Sequence, residues 1–308
     1  MDRESTTRPT LALGLALMIA AAPGCQCGGP TPDEILRQIV LVGTARDVWF
    51  NVTIIAGATA LPSDPACPVV TTAGTTTTFE GGCTDVDGVD WSGTATLDGS
   101  FDGDYTMVWT GYTQVSDGDC SGTPVLATSV IDGMLAVTGT ATGVASFTAD
   151  VRRNTTVDDP ACTLGAIDDR WNYAGSVTDG PDTDMDMAPD DQTFEGAGLV
   201  SRIIEGDSYE ASAETTDQLV DRNACDQEPL SGTSTFAFGD AVGVLVNDGA
   251  TDCDDPPTGQ WTLGGADQGE IPIGGVCTIA RLADGGSPCA LGVLLLSLGL
   301  AALLRRKA

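Results

Sequence analysis

The 308-residue chain contains no histidine, and its one lysine, Lys307, is the penultimate residue. Without imidazole there is no Ser-His-Asp triad, no Cys-His dyad and no imidazole ligand for zinc or copper. Without a lysine in the body of the chain there is no Schiff-base nucleophile, no Ser-Lys pair and no P-loop lysine. Aromatic residues make up only 5% of the chain, so its core is poor in large apolar side chains. Positive charge is scarce too. Between Cys25 and Pro288 eight arginines stand against 42 acids, a formal charge of 8 − 42 = −34. Such a surface repels phosphate backbones and anionic headgroups, which excludes nucleic acid as a partner, and it attracts divalent cations.

The two ends are addresses rather than fold. Arg3 and Arg8 precede an uninterrupted apolar run, Leu11 to Ala22, and Pro23 and Gly24 follow at once. This is the layout of a secretory n-region and h-region, so residues 1–24 are predicted to be a signal peptide. At the other end, Cys289 is followed by fifteen apolar or small residues, Ala290 to Leu304, and then by Arg305, Arg306 and Lys307. At 1.5 Å per residue such a helix covers about 22 Å against a hydrocarbon core of about 30 Å, so it spans only with local thinning or snorkelling of the terminal cations. The basic cluster would keep that end in the cytoplasm.

Both ends resemble known sorting signals. Ala22-Pro23-Gly24-Cys25 resembles the lipobox of bacterial lipoproteins, which implies lipidation of Cys25; ordinary cleavage after Ala20 to Ala22 is the alternative. The Cys289, apolar segment and Arg cluster over 284–308 resemble the MYXO-CTERM tails of myxobacterial surface proteins. That resemblance implies processing near Cys289 and delivery to the cell surface or outer membrane, and it speaks to address rather than activity.

With Cys25 and Cys289 set aside, eight cysteines remain: Cys27, Cys67, Cys83, Cys120, Cys162, Cys225, Cys253 and Cys277. In an exported chain an even number reads as up to four disulfides, and no CxxC points to a metal site among them. Cys225 with Cys253 is one candidate pair.

Period-two patterning predicts half-buried strands. The inward sets are Val48, Phe50, Val52 and Ile54 in Asp47 to Ile55; Tyr105, Met107, Trp109 and Val115; Ala145, Phe147, Ala149 and Val151; and Tyr209, Ala211 and Ala213. Asp-Gly pairs at Asp87, Asp98, Asp132 and Asp248 suit tight hairpin turns. The Thr-rich stretch Thr71 to Thr78 reads as a Thr-faced strand or a spacer. Only Asp33 to Val42 has a helical period. A weak repeat places a Trp eight or nine residues after a Cys, at Cys83/Trp91, Cys162/Trp171 and Cys253/Trp261. These tryptophans read as packing on disulfides or as a carbohydrate-stacking platform.

The predicted fold is all-β: an antiparallel meander of hairpins forming a sandwich or barrel, disulfide-linked, with a C-terminal transmembrane helix. Its predicted parts are a linker and first element over 25–45, β-rich halves over 46–178 and 194–283, and an acidic loop over 179–193. Within that loop Asp182, Asp184 and Asp186 alternate and could offer oxygens to one Ca²⁺, although the EF-hand spacing is not met; a solvated loop is the alternative. No other cofactor is expected, and no local motif singles out a catalytic residue. Three functions stay open. The first is a surface-anchored structural or adhesive β-domain that holds the membrane through its termini and meets an extracellular glycan or protein through its loops. The second is a carboxylate-dependent hydrolase of extracellular polysaccharide, and the third a small-ligand β-barrel. The sequence favours the first.

Overall fold

The computed structural model describes residues 31–273 except 63, 65, 87, 121–122, 158–165, 184–188, 205, 225–228 and 248–257. Two helices come first. Helix α1, Pro32–Gly43, starts from a capping box in which Thr31 and Glu34 satisfy each other's backbone N–H groups, with Pro32 at the first helical position. Thr44 ends α1 and caps α2, Ala45–Ala60, by accepting from the Asp47 N–H. The two axes meet at 55°, and no single helix among the described residues is long and apolar enough to cross a membrane.

The rest is antiparallel sheet. The strands are β1 (Val69–Ala73), β2 (Thr76–Glu80), β3 (Cys83–Thr84), β4 (Asp90–Trp91), β5 (Thr94–Gly99), β6 (Tyr105–Cys120), β7 (Thr123–Thr138) and β8 (Val144–Val157). They continue with β9 (Ile167–Asp179), β10 (Asp191–Ile204), β11 (Asp207–Asp221), β12 (Ser231–Phe238), β13 (Ala241–Val246), β14 (Thr258–Leu263) and β15 (Ala266–Pro272). All but β3 and β4 join one 13-stranded sheet in chain order, while β3 and β4 form a separate ribbon. Expected as a sandwich or barrel, the strands form one large meander rather than two sheets packed face to face.

The two helices pack against the sheet: α2 touches β6, β8, β9, β10 and β11, and α1 touches β10, β11, β12, β13 and β15. At 1.5 Å per residue they cover about 24 and 18 Å, enough together to reach across these strands. Inward positions supply the core, and two sheet tryptophans bond to the helices: Trp171 Nε1 donates to the Val42 carbonyl at 3.1 Å and Trp109 Nε1 to Thr59 Oγ1 at 2.9 Å. Trp49 and Phe50 on α2 pack against Phe147 and Phe194, at centroid distances of 5.2 and 5.9 Å. Room for these rings comes from small partners across the sheet. A Cβ on Gly196 would lie 2.5 Å from Tyr173 Cε1, and one on Gly175 2.8 Å from Phe147 Cε1. Large side chains thus sit where glycines leave them room.

Three strands read from period two are found: β8 and β11 carry the expected residues on their inward faces, with Ala145 and Tyr209 partly buried, and β6 does so for Tyr105, Met107 and Trp109, whereas the bulge after Trp109 puts Val115, opposite Thr128, on the other face. Thr71 to Thr78 also lies in strand, as the β1–β2 hairpin. Two expectations are corrected. Asp47 to Ile55 is helix, because Val48, Val52, Ile55, Ala56 and Thr59 also recur at helical spacing and all are buried. Neither Asp98-Gly99 nor Asp132-Gly133 is a hairpin turn: the first ends β5, paired with β2 and β6, and the second lies inside β7, opposite an extra residue of β6 between Trp109 and Tyr112. The bulge is held by the Gly111 N–H donating to Asp132 Oδ1 at 2.6 Å, and both Gly111 and Gly133 have positive φ.

Candidate functional site

Of the residues singled out from sequence, Cys67 and Cys83 are joined by a disulfide. Trp91 stands directly opposite Cys83 in the β3–β4 ladder and is buried, so here the Trp-on-disulfide reading holds. A stacking platform is ruled out for all three repeat tryptophans: Trp91, Trp171 and Trp261 are at most 5% exposed. Cys120 ends β6; Cys25, Cys27, Cys162, Cys225, Cys253, Cys277 and Cys289 lie outside the described residues, as do both terminal segments, Asp87 and Asp248. Asp182 is exposed, while Asp184 and Asp186 also lie outside the described residues. Among the described residues no three His, Cys, Asp or Glu side chains are grouped to hold a metal ion.

The strongest concentration of buried charge is one that no sequence motif marks. Three neighbouring strands place Arg153, Asp169 and Arg202 directly opposite one another, on β8, β9 and β10. Each has the parity of the inward set on its strand: Arg153 follows Val151, Asp169 precedes Trp171, and Arg202 follows Val200. Inward alternation is therefore what carries these charges into the interior. Arg202 donates side-on to Asp169, from Nε to Oδ1 at 2.6 Å and from Nη2 to Oδ2 at 3.1 Å. Arg153 Nη2 donates to Asp169 Oδ2 at 3.1 Å and to Asn51 Oδ1 on α2 at 3.4 Å, and its guanidinium lies 5.3 Å from the centroid of the Trp171 ring. Burial pushes the Asp169 carboxyl up, but the two guanidiniums outweigh it and hold the group below the ordinary aspartate value. Burial lowers Arg153, Asp169 opposes that shift, and the Arg202 charge adds to it.

A second polar group surrounds the buried start of α2. First-turn N–H groups have no partners within the helix, so the sheet supplies them. Ala45 N donates to Thr215 Oγ1 at 3.0 Å and Arg46 N to Gln218 Oε1 at 3.1 Å. Thr44 Oγ1 donates to Asp47 Oδ2 at 2.7 Å, and Arg46 Nη1 lies 3.7 Å from Asp47 Oδ1. Burial raises the Asp47 carboxyl from 3.8 to about 7, against the smaller lowering effects of Arg46 and Thr44.

In chemical terms the interior offers hydrogen-bond donors. Both oxygens of Asp169 are occupied by guanidiniums, so it is not placed to accept a proton from a substrate. The outward positions of β8 to β11 carry mostly Ser, Thr, Asn, Asp and Glu, a face made for water. An open depression of about 530 Å³ crosses that face, with Glu195 and Glu214 among its lining residues and Ala174, Gly196 and Ala197 leaving it room. No family model, curated protein or solved structure matches this chain.

Proposed function

We propose that the chain is an exported, cell-surface-anchored structural or binding β-domain, held at the membrane through its termini and meeting extracellular glycan or protein through its outer face. The observation that carries this reading is the filled interior. The inward strand positions that would line a ligand cavity are packed against α1 and α2, with Leu36, Ile39, Val48, Val52 and Ile55 at most 2% exposed. Contact with other molecules then falls to the polar outside, where the depression over β9 to β11 gives a neutral chain of sugars a place to lie. The secretory run, Cys25 and the Cys289 tail supply the address, and the Cys67–Cys83 disulfide suits an oxidising compartment.

The test takes full-length protein, extracted from its native membrane in mild detergent, over insoluble neutral polysaccharide and over purified cell envelopes. Retention on one of these, lost when Ala197→Trp fills the depression, is the expected result. Release of soluble sugar fragments would favour the hydrolase instead, and absence of retention on every surface would remove the binding role.

A further inference from the structure

We propose that the Arg153–Asp169–Arg202 row is a buried site for a small monovalent anion, a halide or a simple carboxylate such as formate. The first argument is charge. Two guanidiniums share one carboxylate, and Arg153 and Arg202 are 7% and 2% exposed. A buried lysine can shed its proton to escape such an environment; an arginine effectively cannot. Among the described residues one unit of positive charge is thus left over in the row, and buried charge without a counter-charge is strongly unfavourable.

The second argument is geometric. Asp169 takes Nε and Nη2 of Arg202 and Nη2 of Arg153, and this leaves Arg202 Nη1 and Arg153 Nε buried with no acceptor among the described residues. Tyr112 falls in the same row, two strands from Arg153 through Ile131, and its hydroxyl is likewise buried without a partner. One pleat further along β8, the buried hydroxyls of Thr155 and Ser129 bond to each other at 2.8 Å. This end of the interior is thus lined with donors, whereas the next inward layer, Val151, Trp171 and Val200, is apolar.

The third argument limits the ligand. A protein body carrying −34 between Cys25 and Pro288 repels polyanions far more than monoanions, and a single excess positive charge balances one negative charge. The proposal concerns the interior and is independent of any role for the outer face.

The experiment follows thermal unfolding of the full-length protein by circular dichroism at constant ionic strength, exchanging gluconate for chloride, bromide or formate. Constant ionic strength cancels general screening of the acidic surface. With the small anion tenfold above its Kd, Tm is expected to rise by about 3–6 °C over gluconate. Arg202→Met leaves a one-to-one Arg153–Asp169 pair and should abolish that difference. An equal Tm in all four salts, or an anion response retained in Arg202→Met, overturns the proposal. Should the variant not fold, bromide-soaked crystals of the wild-type protein decide: an anomalous peak within hydrogen-bonding distance of Arg202 Nη1 supports the site, and peaks on the surface alone refute it. Response to chloride but not formate identifies a halide site; response to both identifies a general monoanion site.

Discussion

Replacing Asp169 by Asn tests the energetic reading of the buried row most sharply. The substitution keeps the shape and one acceptor oxygen but removes the only carboxylate among the described residues that pairs with Arg153 and Arg202, which together make three hydrogen bonds to it of 2.6, 3.1 and 3.1 Å. Breaking a buried ion pair by removing one partner costs about 3–5 kcal/mol, because the remaining charge keeps its desolvation penalty. Here two guanidiniums are left facing each other, so a loss of about 3 kcal/mol is the lower bound despite the retained oxygen. Arg202→Met is the informative contrast. It removes the surplus cation, keeps the long apolar stem and leaves Arg153 paired with Asp169, so its cost should be only about 1 kcal/mol. Equilibrium urea unfolding followed by tryptophan fluorescence measures both. The midpoint should fall by about 1 M or more for Asp169→Asn and by much less for Arg202→Met. Equal losses, or a larger one for Arg202→Met, would refute the claim that the row carries excess positive charge.

Three further expectations follow from single sites. Asp47 binds its proton more tightly in the folded chain, at about 7 against 3.8, so its stabilising contribution is fully present below pH 3.8 and is lost as pH rises through about 7. This amounts to about 4 kcal/mol. Urea titrations of wild type and Asp47→Asn at pH 5 and pH 8 should show wild type losing ground to the variant at the higher pH, and parallel behaviour would contradict the burial of this carboxyl. Gly196→Val would press a side chain into Tyr173, the Ala174 carbonyl and Gly175, lowering stability by about 1–3 kcal/mol in the same assay; a neutral outcome would mean that Tyr173 does not occupy that space. Peptide mapping without reductant should recover Cys67 joined to Cys83. Replacing both by Ser should cost about 3 kcal/mol in the chain-entropy account of a loop closed over a separation of 16 residues.

Legibility from sequence followed the ratio of local signal to tertiary context. Strand β8 was readable because Ala145, Phe147, Ala149 and Val151 alternate with polar neighbours, the pattern of a sheet with one wet face. Helix α1 was readable from Asp33 to Val42, whose period and polar start are those of a helix with one buried face. Helix α2 was not. Its Val, Ile, Thr and aromatic residues favour strands, and with Trp49, Phe50 and Ile54 half-buried beside the buried stripe the helix is apolar on most sides, so the contrast that reveals an amphipathic helix is missing. Asp132-Gly133 is ambiguous in the sequence because one dipeptide serves both tight turns and bulges, and only pairing with Gly111 separates them. The charged row was hidden for a different reason. Arg153, Asp169 and Arg202 are far apart in the chain and resemble solvated surface residues. Their one signal was parity, since each extends an apolar inward series by one more pleat where an uncharged residue is expected.

The central structural claim is a helical pair packed against the inward face of a single meander sheet, and amide hydrogen exchange of the intact protein, resolved by mass spectrometry, tests this most directly. Amides of α2, Ala45–Ala60, should exchange as slowly as those of β8, β9 and β10, because both are released only by global opening. Exchange of α2 within seconds while those strands stay protected would place the helix outside the sheet and contradict the filled interior.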